Sequence, residues 1–181
     1  MRSLLLLISL FTLLFSDAKQ DIYSLYQLKQ YDKACKLGLL HFSKHRDDEN
    51  FVSIYAFSCL NADYIDRLSV PITILKNSKE ARSNAAYLSI ILMQKKLLEH
   101  SLKDNYNIKS LKLPTTDNIL SKVFDLYSNL QIHKKIPLYV FIDPNNAKIT
   151  YKLYLSGNAD SSNMVIEELY DSTLVKKHIY R

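Results

Sequence analysis

Pro137-Leu138-Tyr139-Val140-Phe141-Ile142-Asp143-Pro144-Asn145-Asn146 is the stretch at which the chain changes periodicity. A short apolar run ends in Asp, Pro and Asn, residues that start and hold turns. From Lys148 to Leu155 the residues then alternate, with Ile149, Tyr151, Leu153 and Leu155 on one side and Lys148, Thr150, Lys152 and Tyr154 on the other. Two such runs around a turn predict a β-hairpin. Because an isolated hairpin is marginal in water, more strands are expected. Residues 164–170 and 174–180, joined at Asp171-Ser172-Thr173, supply them, although Val165, Ile166, Leu169, Tyr170, Thr173 and Leu174 also fit a helical stripe. The expected result is a four-stranded antiparallel meander. On it, Glu167 and Glu168 point to opposite faces, which excludes a paired-carboxylate site, and both can meet Lys176 and Lys177 across strands.

Ahead of the meander the period is helical. Pro114-Thr115-Thr116-Asp117 reads as a loop and cap for an amphipathic helix over 118–131, placed to cover one face of the sheet. Further back, Ile22, Leu25, Tyr26 and Leu28, then Tyr31, Ala34, Cys35, Gly38, Leu39 and Phe42, predict two helices broken near Lys29-Gln30. A third is expected over 50–60, a fourth over 64–76 kinked at Pro71, and the longest over 79–103. The fold class is therefore α+β: N-terminal antiparallel helical hairpins, then a small antiparallel β-meander covered by a helix. The expected domains are a leader at 1–18, a helical region at 19–112 and a sheet region at 113–181.

The helical region carries an internal period of about 33 residues. Lys29-Gln30-Tyr31-Asp32-Lys33-Ala34 falls opposite Ala62-Asp63-Tyr64-Ile65-Asp66-Arg67, and Leu97 falls at the next step. Over residues 22–103 the chain resembles the tetratricopeptide repeat, a helix-turn-helix unit with an apolar residue after its turn and a small residue three positions on. Tyr31 with Ala34 fits both positions. Lys29 and Ala62 stand where a glycine is expected, and Arg67 where a second small residue is. The alternative is an ordinary antiparallel bundle. The resemblance implies a concave surface lined by the first helix of each pair, at 22–28, 50–60 and 79–94, which makes Tyr26, Tyr55 and Tyr87 the candidate binding-surface residues.

At the other end, Arg2 precedes an apolar run from Leu4 through Phe15, followed by Ser16-Asp17-Ala18. Such an arrangement predicts a secretory signal peptide cleaved after Ala18. An uncleaved anchor would need about 20 apolar residues, and Asp17, Lys19 and Asp21 interrupt before that. Export makes Cys35 and Cys59, on adjacent antiparallel helices, candidates for a disulfide. Two buried thiols, a redox pair or thiolate metal ligands are the alternatives; the spacing is not that of a C-x-x-C motif. His41 and His45 lie four apart on one helix, a spacing also common on solvated helix ends, and no metal ligand set is assigned.

Composition removes several classes of function. Two glycines in 181 residues leave no phosphate-cradling loop. A net charge of +6 is dispersed along the chain and interleaved with acids, unlike a nucleic-acid footprint, and at most favours peripheral contact with an anionic membrane or polysaccharide. No cofactor and no catalytic residue is assigned. The expectation is an exported envelope protein, periplasmic in a Gram-negative cell and otherwise secreted, that binds a protein or peptide partner or acts as a scaffold without catalysis. A binder of a lipid, glycan or other small amphiphile in an apolar pocket is the alternative, and a hydrolase the second.

Overall fold

The computed structural model describes residues 17–109, 111–130, 136–158 and 161–181. The expected leader lies, up to residue 16, outside the described residues. Six helices precede a four-stranded antiparallel sheet, the α+β order expected. The chain separates into two compact units between Ala62 and Asp63.

The first unit holds α1 (Ala18–Gln27), α2 (Tyr31–His45) and α3 (Glu49–Asn61). Asp17 caps α1 and Asp48 caps α3, each carboxylate accepting backbone N–H groups of the first turn. Asp48 also accepts a 2.6 Å hydrogen bond from Lys19 Nζ, tying the start of α1 to the start of α3. The α1–α2 turn turns through Lys29 at φ 57°, the left-handed geometry that glycine adopts freely. Cys35 and Cys59 are joined in a disulfide between α2 and α3, with Cα atoms 4.7 Å apart. Ile22, Ala34, Phe51, Val52 and Ala56 close the core around it.

Gly38 lies where α2 meets the other two helices. A Cβ built there would stand 2.5 Å from Tyr55 Cδ2, 3.0 Å from Tyr55 Cβ and 2.8 Å from Ile22 Cδ1. Alanine favours a helix by about 1 kcal/mol, but the root of a buried ring cannot swing aside and overpacking costs about 1–3 kcal/mol. Gly38→Ala is expected to lower stability by roughly 1–2 kcal/mol, read as a lower urea midpoint. Replacing both cysteines by alanine reopens a loop of 24 residues' separation. It is expected to cost about 3.5 kcal/mol in the chain-entropy picture, read in the same titration.

The second unit begins at Asp63. A 3-10 turn at Ile65–Leu68 and α4 (Ser69–Ile74), with Pro71 in its first turn, pack beside α5 (Lys79–Asp104). α6 (Ile119–Ser128) follows, then β1 (Leu138–Asp143), β2 (Asn146–Ser156), β3 (Asn163–Tyr170) and β4 (Thr173–Tyr180), in spatial order β1-β2-β3-β4. The ambiguous last segment is thus strand, turned through Asp171 and Ser172, both at positive φ. Glu167 pairs with Lys177 and Glu168 with Lys176 in the β3–β4 register. Buried polar contacts join α5 to α6 and the loop before it: Ser121 Oγ donates to Gln94 Oε1, Gln94 Nε2 to the Pro114 carbonyl, and Ser101 Oγ lies 2.8 Å from Tyr127 OH.

The compact units divide at 62/63, and the helical region expected at 19–112 contributes to both. The reason is a clasp between the two ends of the second unit. Arg181 N–H donates to the Asp63 carbonyl at 2.8 Å and Asp66 N–H to the Arg181 carbonyl at 3.2 Å. The Asp63 carboxylate takes the Ile179 N–H at 3.2 Å and lies 2.8 Å from His178 Nδ1. Next to it, Lys95, only 2% exposed, is neutralised by Asp66 and Glu99 at 3.0 and 2.8 Å. The long helix and the sheet consequently belong to one body.

Candidate protein-binding edge of the sheet

β1 is an edge strand, and among the described residues it pairs with β2 alone. An edge strand points alternate backbone N–H and C=O groups away from its sheet, where they can pair with another chain. The opposite edge is partly closed, since the clasp on Asp63 occupies the last residues beside β4. Side chains of β1 divide by alternation. Tyr139, Phe141 and Asp143 are buried, whereas Leu138, Val140 and Ile142 are 40, 54 and 64% exposed. The run is apolar on both faces, as in a strand covered on both sides, yet only one face is covered.

The covered face is held by α6. Tyr127 meets Tyr139 edge-on at 4.9 Å between ring centroids, and Val123 and Phe124 of the same helix are buried. At the end of β1 the buried Asp143 carboxylate accepts three hydrogen bonds: from Lys122 Nζ at 2.8 Å, Tyr151 OH at 2.7 Å and the Asn145 N–H at 2.8 Å. The Lys122 and Tyr151 bonds hold its pKa down at about 2. Burial, and then the same carboxylate, push the Tyr151 phenol up to about 12, while the bond to Asp143 raises Lys122. Near neutral pH the trio is thus ammonium, carboxylate and phenol, with no free base. Its chemistry is that of a latch, which fixes α6, the first turn of the hairpin and the end of β1 together.

Across the exposed face, one row runs Val140, Lys152, Glu167, Lys177 from β1 to β4. Glu167 is claimed on one side: Lys177 Nζ lies 3.1 Å away and Tyr154 OH donates at 2.7 Å. The Tyr154 bond, with support from Lys177 and more distant Lys152, lowers the Glu167 pKa. Among the described residues, Lys152 makes no side-chain hydrogen bond or ion pair. One carboxylate thus serves a row with two ammonium groups, Lys177 in an ion pair and Lys152 at longer range beside the edge strand.

The residues singled out from sequence fall elsewhere. Cys35 and Cys59 are bridged. Tyr55, 3% exposed, is a correction: it fills the space above Gly38 and packs on Phe42, so it offers nothing to a partner. Tyr26 is partly exposed and meets Tyr31 edge-on at 5.3 Å, and Tyr87 donates a 2.7 Å hydrogen bond to Asp117. His45 is stacked on Phe51 at 4.7 Å, and no group of three or more His, Cys, Asp or Glu among the described residues is arranged to hold a metal ion. The sequence signal for the edge was available in Leu138, Val140 and Ile142, the second apolar face of a strand that ends the sheet order. Comparison with family models, with curated proteins and with solved structures finds no match in any of the three.

The Asp143 latch has a pH signature. Its folded pKa of about 2 lies below the ordinary 3.8, so its stabilisation is fully present above the ordinary value and is lost as pH falls through about 2. Allowing for screening at the half-exposed Lys122, the contribution is on the order of 1–2 kcal/mol. The stability gap between wild type and Asp143→Asn, measured by urea unfolding, is expected to be largest near pH 6 and to close toward pH 2.

Proposed function

We propose that this chain is an exported, non-catalytic protein-binding module that takes up an extended segment of a partner by strand addition at β1. The observation that carries the reading is the exposed apolar side-chain row, Leu138, Val140 and Ile142, on a strand with one edge unpaired among the described residues. Main-chain hydrogen bonds supply affinity in this binding mode, and pockets for alternate side chains supply selectivity. The Asp143 latch and the Tyr127–Tyr139 contact hold the edge in place before binding, so little ordering entropy opposes docking. Export is supported by the apolar run ending at Ser16-Asp17-Ala18 and by the disulfide, a bond that persists in oxidising compartments. No helix among the described residues is long and apolar enough to cross a membrane. Compared with a pocket for a small amphiphile, strand addition is favoured because Tyr127 of α6 packs edge-on against Tyr139 of β1 and both rings are buried.

A photo-crosslinking residue placed at Ile142 in producing cells tests the reading. A discrete protein adduct is expected from Ile142, lost when Val140→Pro blunts the edge, and absent from the same probe at exposed Leu40 of α2. Equal adducts from Ile142 and Leu40, or lipid or glycan retained with no protein adduct, would overturn it.

A further inference from the structure

We propose that the segment docked on β1 is an extended strand carrying an acidic residue beside Val140, flanked at the alternate positions by apolar residues, and that Lys152 selects it. The inference rests on the strand-addition reading and adds the chemistry of the partner.

Charge on the exposed face decides the occupant. The row Val140, Lys152, Glu167, Lys177 reads neutral, positive, negative, positive across the four strands. Glu167 is bonded by Tyr154 and paired with Lys177, so among the described residues Lys152 shares that carboxylate only at longer range. A docked strand would stand about 10 Å from β2, two strand spacings. Both a lysine and a glutamate side chain can lean over Val140 and close that distance, and the apolar side chain between them lowers the local dielectric. An acid at this position continues the alternation of charge along the row. The neighbouring positions face Leu138 and Ile142, which want apolar partners on the same face.

The same charges disfavour a second copy of the chain. A two-fold antiparallel pairing of β1 with itself sets Val140 beside Val140 and Leu138 beside Ile142. It brings no carboxylate to the row and places two Lys152 side chains on one face, about 14 Å apart at the backbone.

Three labelled peptides of sequence Ser-Thr-Val-Thr-X-Thr-Val-Thr-Ser, with X glutamate, glutamine or lysine, are titrated up to millimolar concentration into the chain and its variants. Backbone amide shifts of residues 138–142 report binding. Glutamate is expected to bind roughly fivefold more tightly than glutamine, the upper range for a rim ion pair, and the preference should shrink with salt. Lys152→Gln should abolish the preference without abolishing binding, Lys152→Glu should transfer it to the lysine peptide, and N-methylation along the peptide backbone, which removes the main-chain donors, should remove binding of all three. Thermal unfolding followed by circular dichroism establishes that each variant is folded. Peptides that bind alike to wild type and Lys152→Gln, and lose binding when N-methylated, would overturn the acidic-partner inference and leave strand addition standing. No binding by any peptide, or undiminished binding of the N-methylated peptides, would overturn both. A wild-type dimer in sedimentation that Val140→Lys dissolves would make the occupant a second copy and overturn the inference.

Discussion

Asp63 carries the arrangement on which the second unit depends, because one residue at its beginning satisfies three groups at its end. Its carbonyl takes the Arg181 N–H, and its carboxylate takes the Ile179 N–H and meets His178. The backbone of Asp63 is at φ 62°, a conformation that Asp tolerates better than most residues and that an element of this kind holds in place. Buried Tyr180, its phenol pushed well above the ordinary range by desolvation, is stacked on the ring of His178. A chain end that would fray if left alone is thereby fixed. The consequence reaches the sheet: the outer side of β4 is engaged at its last residues, whereas among the described residues β1 has no such closure.

What could be read from the sequence was whatever depends on neighbours along the chain. The alternation from Lys148 to Leu155, the turn residues Asp143-Pro144-Asn145-Asn146 and the Asp171-Ser172 corner are local, and each lies where expected. The Cys35–Cys59 bridge was accessible for a related reason, since a short connector between two amphipathic helices forces them to lie side by side. The α1–α2 turn is instructive. Lys29, standing where the repeat pattern places glycine, still takes the left-handed geometry, so residue identity alone misjudged a backbone requirement that the turn imposes.

What could not be read depends on partners far apart in the chain. Asp63 and His178 are 115 residues apart, and nothing in either neighbourhood announces the other. The division between the units follows that contact and has no local signal. Tyr55 was misread because tyrosine has two uses, as a stiff contact residue and as core filler, and only the absence of a side chain at Gly38 decides between them. Lys122, Asp143 and Tyr151 look unremarkable singly, and become a latch only when α6 is laid over the hairpin.

The two faces of β1 make opposite demands, and this is the strongest reason to treat the edge as functional. Natural sheets guard their edges with lysine, proline or bulges, because an open apolar strand recruits other chains indiscriminately. Here the bulge comes at the very end, between Ile142 and Asp143, and leaves Leu138 to Ile142 in regular register. Pro137 stands just before the strand and blunts nothing within it. Among the described residues, Lys152 stands one strand back from the exposed row, where it can bias what docks without preventing docking. Meanwhile the covered face spends a buried carboxylate paired with a half-exposed lysine, a phenol and two stacked aromatic side chains on holding the same strand still. A segment kept rigid on one face and unguarded on the other is costly to keep in a protein with no use for it, whereas for a strand-addition module each feature has a purpose: rigidity lowers the entropy of docking, and the set-back cation supplies choice among partners.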